Sequence, residues 1–197
     1  MNNSHDKAGE SKEIPNFELV EQIDLMIRAR YPLLYMVAVE EEPLEEVLYK
    51  VAALSQPARQ VLYWDVVRGW SDNGSDKGSV MAALFRIGKT DAQKSVMFVL
   101  RDMHPYIKHP ITEKNAPVVR ELRNLARELK RSRKSIIISS HTLEIPEELK
   151  EEVTVVDFPL PDVPQIDYLV EQLVVPEKLK LEGLAREQLV KACQGLS

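Results

Sequence analysis

Cysteine is almost absent from this chain of 197 residues, and Cys193 is the single example. One thiol excludes an internal disulfide framework and is typical of a protein in a reducing compartment. No apolar run approaches the roughly 20 residues of a membrane-spanning helix, and the first residues contain no apolar signal core. We therefore expect a cytoplasmic protein with no membrane partner, in which Cys193 packs on an apolar helical stripe.

An excess of positive charge is also missing. The chain has 26 lysines and arginines against 31 aspartates and glutamates, a net charge of −5, and its aromatic content of 6% leaves few rings for base stacking. Nucleic acid is therefore an unfavoured partner. The hydrophobic fraction of 44% is ordinary for a globular protein, and the length predicts one domain with a short extension.

The apolar runs that are present are short and rich in branched residues, as in parallel strands that are buried on both faces. Two of them, Val96–Leu100 and Ser135–Ser139, flank a strongly amphipathic helix, which makes a βαβ unit. Strand-like runs at Leu33–Val39, Gln60–Asp65 and Val153–Asp157 also alternate with helices. The sequence predicts a three-layer αβα sandwich with a five-stranded, mainly parallel sheet.

The polar and glycine-rich stretches predict the domain limits. Residues 1–15 are expected to be a disordered leader, residues 16–160 the α/β domain, and residues 161–197 a helical extension. Residues 71–79 read as a flexible surface loop. We assign Trp64 to the sheet, whereas an exposed Trp70 beside that loop would form a docking surface.

A phosphate-binding loop, G-x-x-x-x-G-K-S/T, is missing as well. The nearest match, Gly88-Lys89-Thr90, lacks the first glycine because Ala83 stands there, and it follows a helix instead of a strand. The proper place, after the first predicted strand, reads Glu40-Glu41-Glu42-Pro43. These carboxylates suit a helix N-terminus but would repel a triphosphate. A magnesium site built from them is the less favoured alternative.

The order of strands, helices and polar strand ends resembles an AAA+ ATPase core. In that superfamily the third strand ends in a magnesium-binding Asp and a catalytic Glu, and here Arg101 and Asp102 occupy those two positions. Ser140, His141 and Thr142 cover the region of the polar sensor, and the sequence does not fix which one matches. We expect Arg101 to form a salt bridge in place of a metal site, with Asp102, Asp65 or residues 40–42 as its partner.

The amino-acid sequences of several segments resemble one particular family within this superfamily. IDLMIRARYPLLYMVAVEEE, VLYWDVVRGW, VMFVLRDMH and VTVVDFPLPD are similar to the AAA-type proteins of cyanobacteria and red-algal plastids, the family of hypothetical chloroplast reading frame forty-six. The resemblance covers roughly residues 17–195. It implies a degenerate N-terminal domain, with ATP and magnesium bound by a downstream domain and no cofactor here. It also implies a role in regulating photosynthesis and inorganic-carbon utilisation.

Two further groups of residues could form sites. His104, His109 and His141 follow strand ends and could converge, but they lack the cysteines or His-x-x-x-His spacing of typical metal sites, so none is assigned. A basic face on the crossover helix could dock an acidic partner; it consists of Arg120, Arg123, Arg127, Lys130 and Arg131.

The sequence thus favours a non-catalytic module that regulates or assembles a larger ATPase. Its expected partner is another ATPase domain of the same protein, including one within a homo-oligomer. One alternative is a divergent nucleotide hydrolase that uses Asp102 and the carboxylates of residues 40–42. A third is a stand-alone module for protein docking.

Overall fold

The computed structural model describes residues 17–108, 114–158 and 184–193, and the single positions 163 and 166. In chain order the elements are α1 (Phe17–Arg28), β1 (Leu33–Val37), α2 (Glu41–Ala53), β2 (Gln60–Asp65), β3 (Gly69–Trp70), α3 (Val80–Lys89), β4 (Val96–Arg101), α4 (His104–Ile107), α5 (Ala116–Leu129), β5 (Lys134–Ser140), a 3-10 turn (Glu147–Leu149), β6 (Val153–Asp157) and α6 (Leu184–Cys193).

The strands form one sheet in the order β3-β2-β4-β5-β1-β6. All neighbours pair in parallel except β2 and β3, which are antiparallel. The mainly parallel αβα architecture is therefore confirmed. The predicted number of five strands is wrong, because β3 adds a sixth strand of two residues that is too short to leave a hydrophobic pattern.

Helices cover both faces of the sheet, and alternate strand residues belong to different cores. Leu33 and Tyr35 of β1 pack in the core with α3 and α5. Leu34 and Met36, their neighbours along the strand, pack in the core with α1 and α2. The central strands are apolar without alternation because each face of the sheet is buried.

Trp70 lies in the core, so its prediction as an interaction residue is wrong. It is 1% exposed, and its ring meets Phe98 edge to face at 5.4 Å. The Arg86 guanidinium lies over the same ring at 5.2 Å and also binds Asp72, at 2.5 Å. Trp64 is fully buried beside it, as predicted. The pairing of β3 with β2 folds Trp70 inward, so its ring is not available as an exposed docking residue.

The turn between Trp70 and α3 packs closely against Gly69. Gly69 has φ +74°, and a Cβ atom there would lie 2.2 Å from the Ser75 carbonyl oxygen. The Trp70 amide donates to that same oxygen at 3.0 Å. Residues 71–79 thus follow a defined path, with Trp64 Nε1 donating to the Asp76 carbonyl at 3.2 Å.

Parts of the predicted domain division lie outside the described residues. These are the leader 1–15, His109 and most of the extension 161–197, in which α6 is described but the Cys193 side chain is not. Within the described part of the chain, no helix combines the length and the apolar character that crossing a membrane requires.

Candidate functional site

The carboxyl ends of the parallel strands meet at one edge of the sheet, where α/β proteins usually bind ligands. At this edge β1 ends at Val37 and α2 begins at Glu41, so only residues 38–40 join them. A phosphate-binding loop needs eight motif residues at this point, several of them glycines with amides free for phosphate. The connection is too short for such a loop, and it contains no glycine.

Arg101, at the end of β4, points toward α2 and pairs with two carboxylates there. Its Nε lies 3.2 Å from Oε2 of Glu41, and its Nη2 contacts Oε1 of Glu45. The Arg101 side chain is 16% exposed, against 57% for Glu41 and 28% for Glu45. The predicted salt bridge is confirmed for Glu41, while Glu45 was missed. The sequence did contain an indication that Glu45 could reach Arg101, because residues 41 and 45 are four apart on a helix and lie on the same face.

Tyr63 of β2 completes the surroundings of Arg101. The guanidinium carbon lies 4.9 Å from the centroid of the Tyr63 ring, a cation–π contact. Burial raises the pKa of Tyr63 far above its ordinary value, with Tyr49 and Glu45 adding to the effect, so the phenol stays neutral. We call Arg101, Glu41, Glu45 and Tyr63 the Arg101 cluster.

An open cleft of about 460 Å³ lies beside the Arg101 cluster. Asp65 lines it, but its Oδ1 already accepts from the amides of Val67 and Arg68 at 2.8 and 2.7 Å. Asp65 thus caps a turn. One of the predicted alternatives made Asp65 the partner of Arg101, and that alternative is wrong. The remaining lining residues are Glu41, Val66, Val67, Arg68, Arg101, Asp102, Pro105 and Tyr106.

The residues at this edge do not fit magnesium and ATP, which the AAA+ resemblance would otherwise imply. A cation, Arg101, ends β4, where the resemblance would place the magnesium-binding Asp, and it is paired with two carboxylates of α2. Gly88 and Lys89 end helix α3, and Thr90 caps it by donating from Oγ1 to the Arg86 carbonyl at 2.9 Å. That tripeptide is a helix terminus, as the sequence indicated.

Asp102 has different neighbours from Arg101, although the two are adjacent in the chain. Its Oδ1 lies 3.7 Å from Nδ1 of His141 and 4.0 Å from Nδ1 of His104. The two imidazole rings meet edge to face with centroids 4.8 Å apart. We call these three residues the Asp102 cluster. The structure therefore brings together two of the three histidines that the sequence singled out, and it adds Asp102.

Hydrogen bonds from β5 and β1 hold the backbone around the Asp102 cluster. Asp102 has φ +52°, and its amide donates to the Ser139 carbonyl at 2.9 Å. Ser140 Oγ lies 2.9 Å from His104 Nδ1. Tyr35 donates its hydroxyl proton to the Thr142 carbonyl at 2.7 Å, and burial raises the pKa of Tyr35. Ser140 thus contacts His104, and Thr142 contacts Tyr35. His141, which lies between them in the chain, is exposed.

The basic face on α5 lies away from the sheet edge. Arg120, Arg127 and Arg131 are exposed, and Arg123 is half-buried. Lys130 is exposed and lies 3.6 Å from a carboxylate oxygen of Glu152. The apolar side of α5 supplies six buried residues to the core, which leaves the arginines pointing outward. The structure thus places Arg120, Arg127, Lys130 and Arg131 on the surface and leaves Arg123 half-buried.

Comparison with known proteins identifies a matching family model and several similar proteins. Residues 19–158 match the family model described as the N-terminal domain of SpoVK-like AAA ATPases. The chain is 35% identical over 184 residues to the AAA domain-containing protein ycf46 of Guillardia theta and 31% identical over 181 residues to that of Pyropia yezoensis. Each match covers 90% of this chain and 35% of the relative, so the chain spans about a third of those proteins.

A solved structure supports the fold alone. A chain of the E. coli MS115-1 HORMA:CdnC:Trip13 complex superposes with a TM-score of 0.65 at 13% identity, covering 92% of this chain and 74% of that one. The resemblance inferred from the sequence is confirmed by the family match and by the ycf46 relatives. The chain belongs to the family of SpoVK-like AAA ATPase N-terminal domains.

Proposed function

We propose that this domain is a non-catalytic module that packs against an ATPase domain and helps to assemble or regulate it. The Arg101 cluster carries the proposal, because it reverses the charges that nucleotide binding requires. A working site places a lysine and glycine amides on the phosphate side and a carboxylate on the magnesium side. In this domain the carboxylates of Glu41 and Glu45 are on the phosphate side, and Arg101 is on the magnesium side.

The competing function, a divergent nucleotide hydrolase, would combine Asp102 with the carboxylates of residues 40–42. In the structure Asp102 is grouped with His104 and His141, while Glu41 is paired with Arg101. The two carboxylate groups therefore engage different partners. No observation favours this alternative over the non-catalytic module.

Titration calorimetry with ATP and magnesium tests the absence of nucleotide binding. We expect no heat of binding for this domain, because the connection between β1 and α2 is too short for a phosphate-binding loop. A dissociation constant in the low micromolar range, about −8 kcal/mol, would contradict the proposal.

The basic face is the docking surface that we propose for the ATPase partner. Guanidinium groups are suited to carboxylates at interfaces because they donate paired hydrogen bonds in a fixed plane. Arg120, Arg127 and Arg131 are the exposed arginines of this face, and α5 beneath them is fixed by its buried apolar side. The partner is therefore expected to present an acidic surface.

Sedimentation velocity on a full-length protein that carries this domain tests the docking surface. The variant Arg120→Glu, Arg127→Glu and Arg131→Glu should weaken the assembly. A matched control, Lys50→Glu, Lys77→Glu and Lys94→Glu, makes the same change in net charge at other exposed positions. Equal sedimentation of both variants and the parent protein would exclude the basic face as the interface.

A role in photosynthesis and inorganic-carbon utilisation belongs to the same proposal. It is supported by the resemblance to the cyanobacterial and plastid proteins, and no residue of this domain carries it independently. Growth of a cyanobacterium under limiting inorganic carbon, with and without the basic-face variant in place of the native gene, would test it.

A further inference from the structure

We propose that the Asp102 cluster is a binding site for a late first-row divalent transition metal of the zinc type. The site would use one oxygen from Asp102 and one nitrogen each from His104 and His141. These three ligand atoms lie within 4.8 Å of one another. The site is separate from the Arg101 cluster, so the inference does not depend on the proposed function.

The distances are close to those of a bound ion. Zinc binds imidazole nitrogen and carboxylate oxygen at about 2.0–2.2 Å, which puts two ligands of a tetrahedral site about 3.4 Å apart. Asp102 Oδ1 lies 3.7 Å from His141 Nδ1, whereas His104 Nδ1, 4.0 Å away, is the nitrogen that faces Ser140. Small side-chain rotations of Asp102 and His141, which are 62% and 61% exposed, would close the remaining gap.

The cluster also has the outer hydrogen bonds that metal-ligating histidines usually show. A ligating imidazole commonly donates its second nitrogen's proton to an oxygen, which orients the ring. Ser140 Oγ lies 2.9 Å from His104 Nδ1 and can accept that proton, which would leave Nε2 for the metal. Asp102 is held in a left-handed backbone conformation, φ +52°, by the bond from its amide to Ser139. Such conformations cost free energy and are concentrated at functional sites.

The ligand types indicate which metals fit. Magnesium and calcium prefer oxygen ligands, whereas imidazole suits zinc, copper, nickel and iron. Two imidazoles and one carboxylate leave at least one coordination position open, and the exposure of Asp102 and His141 leaves that position facing solvent. The site would therefore hold a metal with an exchangeable ligand, such as water or a side chain of a docked protein.

Calorimetric titration of the metal-stripped domain with zinc chloride, in a buffer that does not coordinate metals, tests the site. One equivalent should bind to the parent protein. Changes to residues that hydrogen-bond a metal ligand usually lower metal affinity about 10- to 100-fold, so the loss of a ligand itself in Asp102→Asn or His141→Ala should lower it by about tenfold or more. Asp157→Asn, which changes another exposed carboxylate at the end of a strand, should bind as the parent does.

Cobalt provides an independent measurement, because its visible absorption reports nitrogen and oxygen coordination at the metal. We expect the cobalt spectrum of the parent protein to be lost in His141→Ala and kept in His5→Ala. Magnesium should not compete with cobalt. The proposal is overturned if no zinc binds, if binding persists unchanged in both Asp102→Asn and His141→Ala, or if Asp157→Asn loses as much affinity as Asp102→Asn. Thermal melting curves that match the parent would exclude misfolding as the cause.

Discussion

Replacing Arg101 by Met should destabilise the fold by about 2–5 kcal/mol, the sum of the three contacts that the substitution removes. Methionine retains the aliphatic stem and removes the charge. The half-buried pair with Glu45 should contribute about 1.5–3 kcal/mol, as hydrogen bonds to charged groups do. The more exposed pair with Glu41 should add less than about 1 kcal/mol, and the cation–π contact with Tyr63 about 0.5–1 kcal/mol.

Urea unfolding of single and double variants would measure these contributions. Glu45→Gln should cost more than Glu41→Gln, and the double variant Arg101→Met, Glu45→Gln should cost less than the sum of the two single changes by about 1–2 kcal/mol. Equal slopes of unfolding free energy against urea would show that only stability has changed. The interpretation fails if Arg101→Met costs less than about 0.5 kcal/mol or if its effect adds fully to that of Glu45→Gln.

Two more substitutions test contacts that hold the ends of the sheet strands and the turns beside them. Gly69→Ala should destabilise the fold by about 2–4 kcal/mol, because its Cβ would lie 2.2 Å from the Ser75 carbonyl oxygen. Gly78 has a similar φ of +72° but no atom within 4 Å of an added Cβ, so Gly78→Ala should cost only about 1–2 kcal/mol. Thermal unfolding of both variants would measure the difference. Equal losses would show that the close approach does not matter. Lys134→Met should cost about 1–2 kcal/mol, since Lys134 Nζ donates to the carbonyls of Ile87 and Thr90 at 2.8 and 2.7 Å while burial lowers its pKa. The exposed control Lys130→Met should change stability by less than about 0.5 kcal/mol, and a smaller loss at 134 than at 130 would contradict the assignment.

Hydrophobic periodicity was enough to predict the central architecture. The runs around Val99 and Ile137 were typical of strands buried on both faces, and the amphipathic pattern between them indicated a crossover helix. β3 was missed because two residues carry no periodic signal. Trp70 was misplaced for the same reason, since only the pairing of β3 with β2 shows that its ring turns inward against Phe98.

The candidate site was predictable where it depended on position along a strand. Arg101 and Asp102 follow β4, and His141 follows β5, so their common edge could be inferred from the parallel sheet. Glu41 was among the predicted partners of Arg101. The grouping of Asp102 with His104 and His141 could not be predicted, because adjacent side chains diverge at a strand end according to local backbone angles. The positive φ of Asp102 separates its carboxylate from the Arg101 guanidinium, and a sequence does not show that angle.

Under the proposed function, the Arg101 cluster explains how the fold keeps its stability without a nucleotide site. A half-buried arginine without a carboxylate, or two carboxylates without the arginine, would leave charge without compensation in a protected position, which is costly. Arg101 at the end of β4 and Glu45 on α2 satisfy each other, and Glu41 adds a second contact from the same helix face. A single reversion, such as Arg101→Asp, would place three carboxylates together and oppose folding before it could favour magnesium. The reversed charges therefore act as one unit, and restoring nucleotide binding would require the arginine, both glutamates and the short β1–α2 connection to change together.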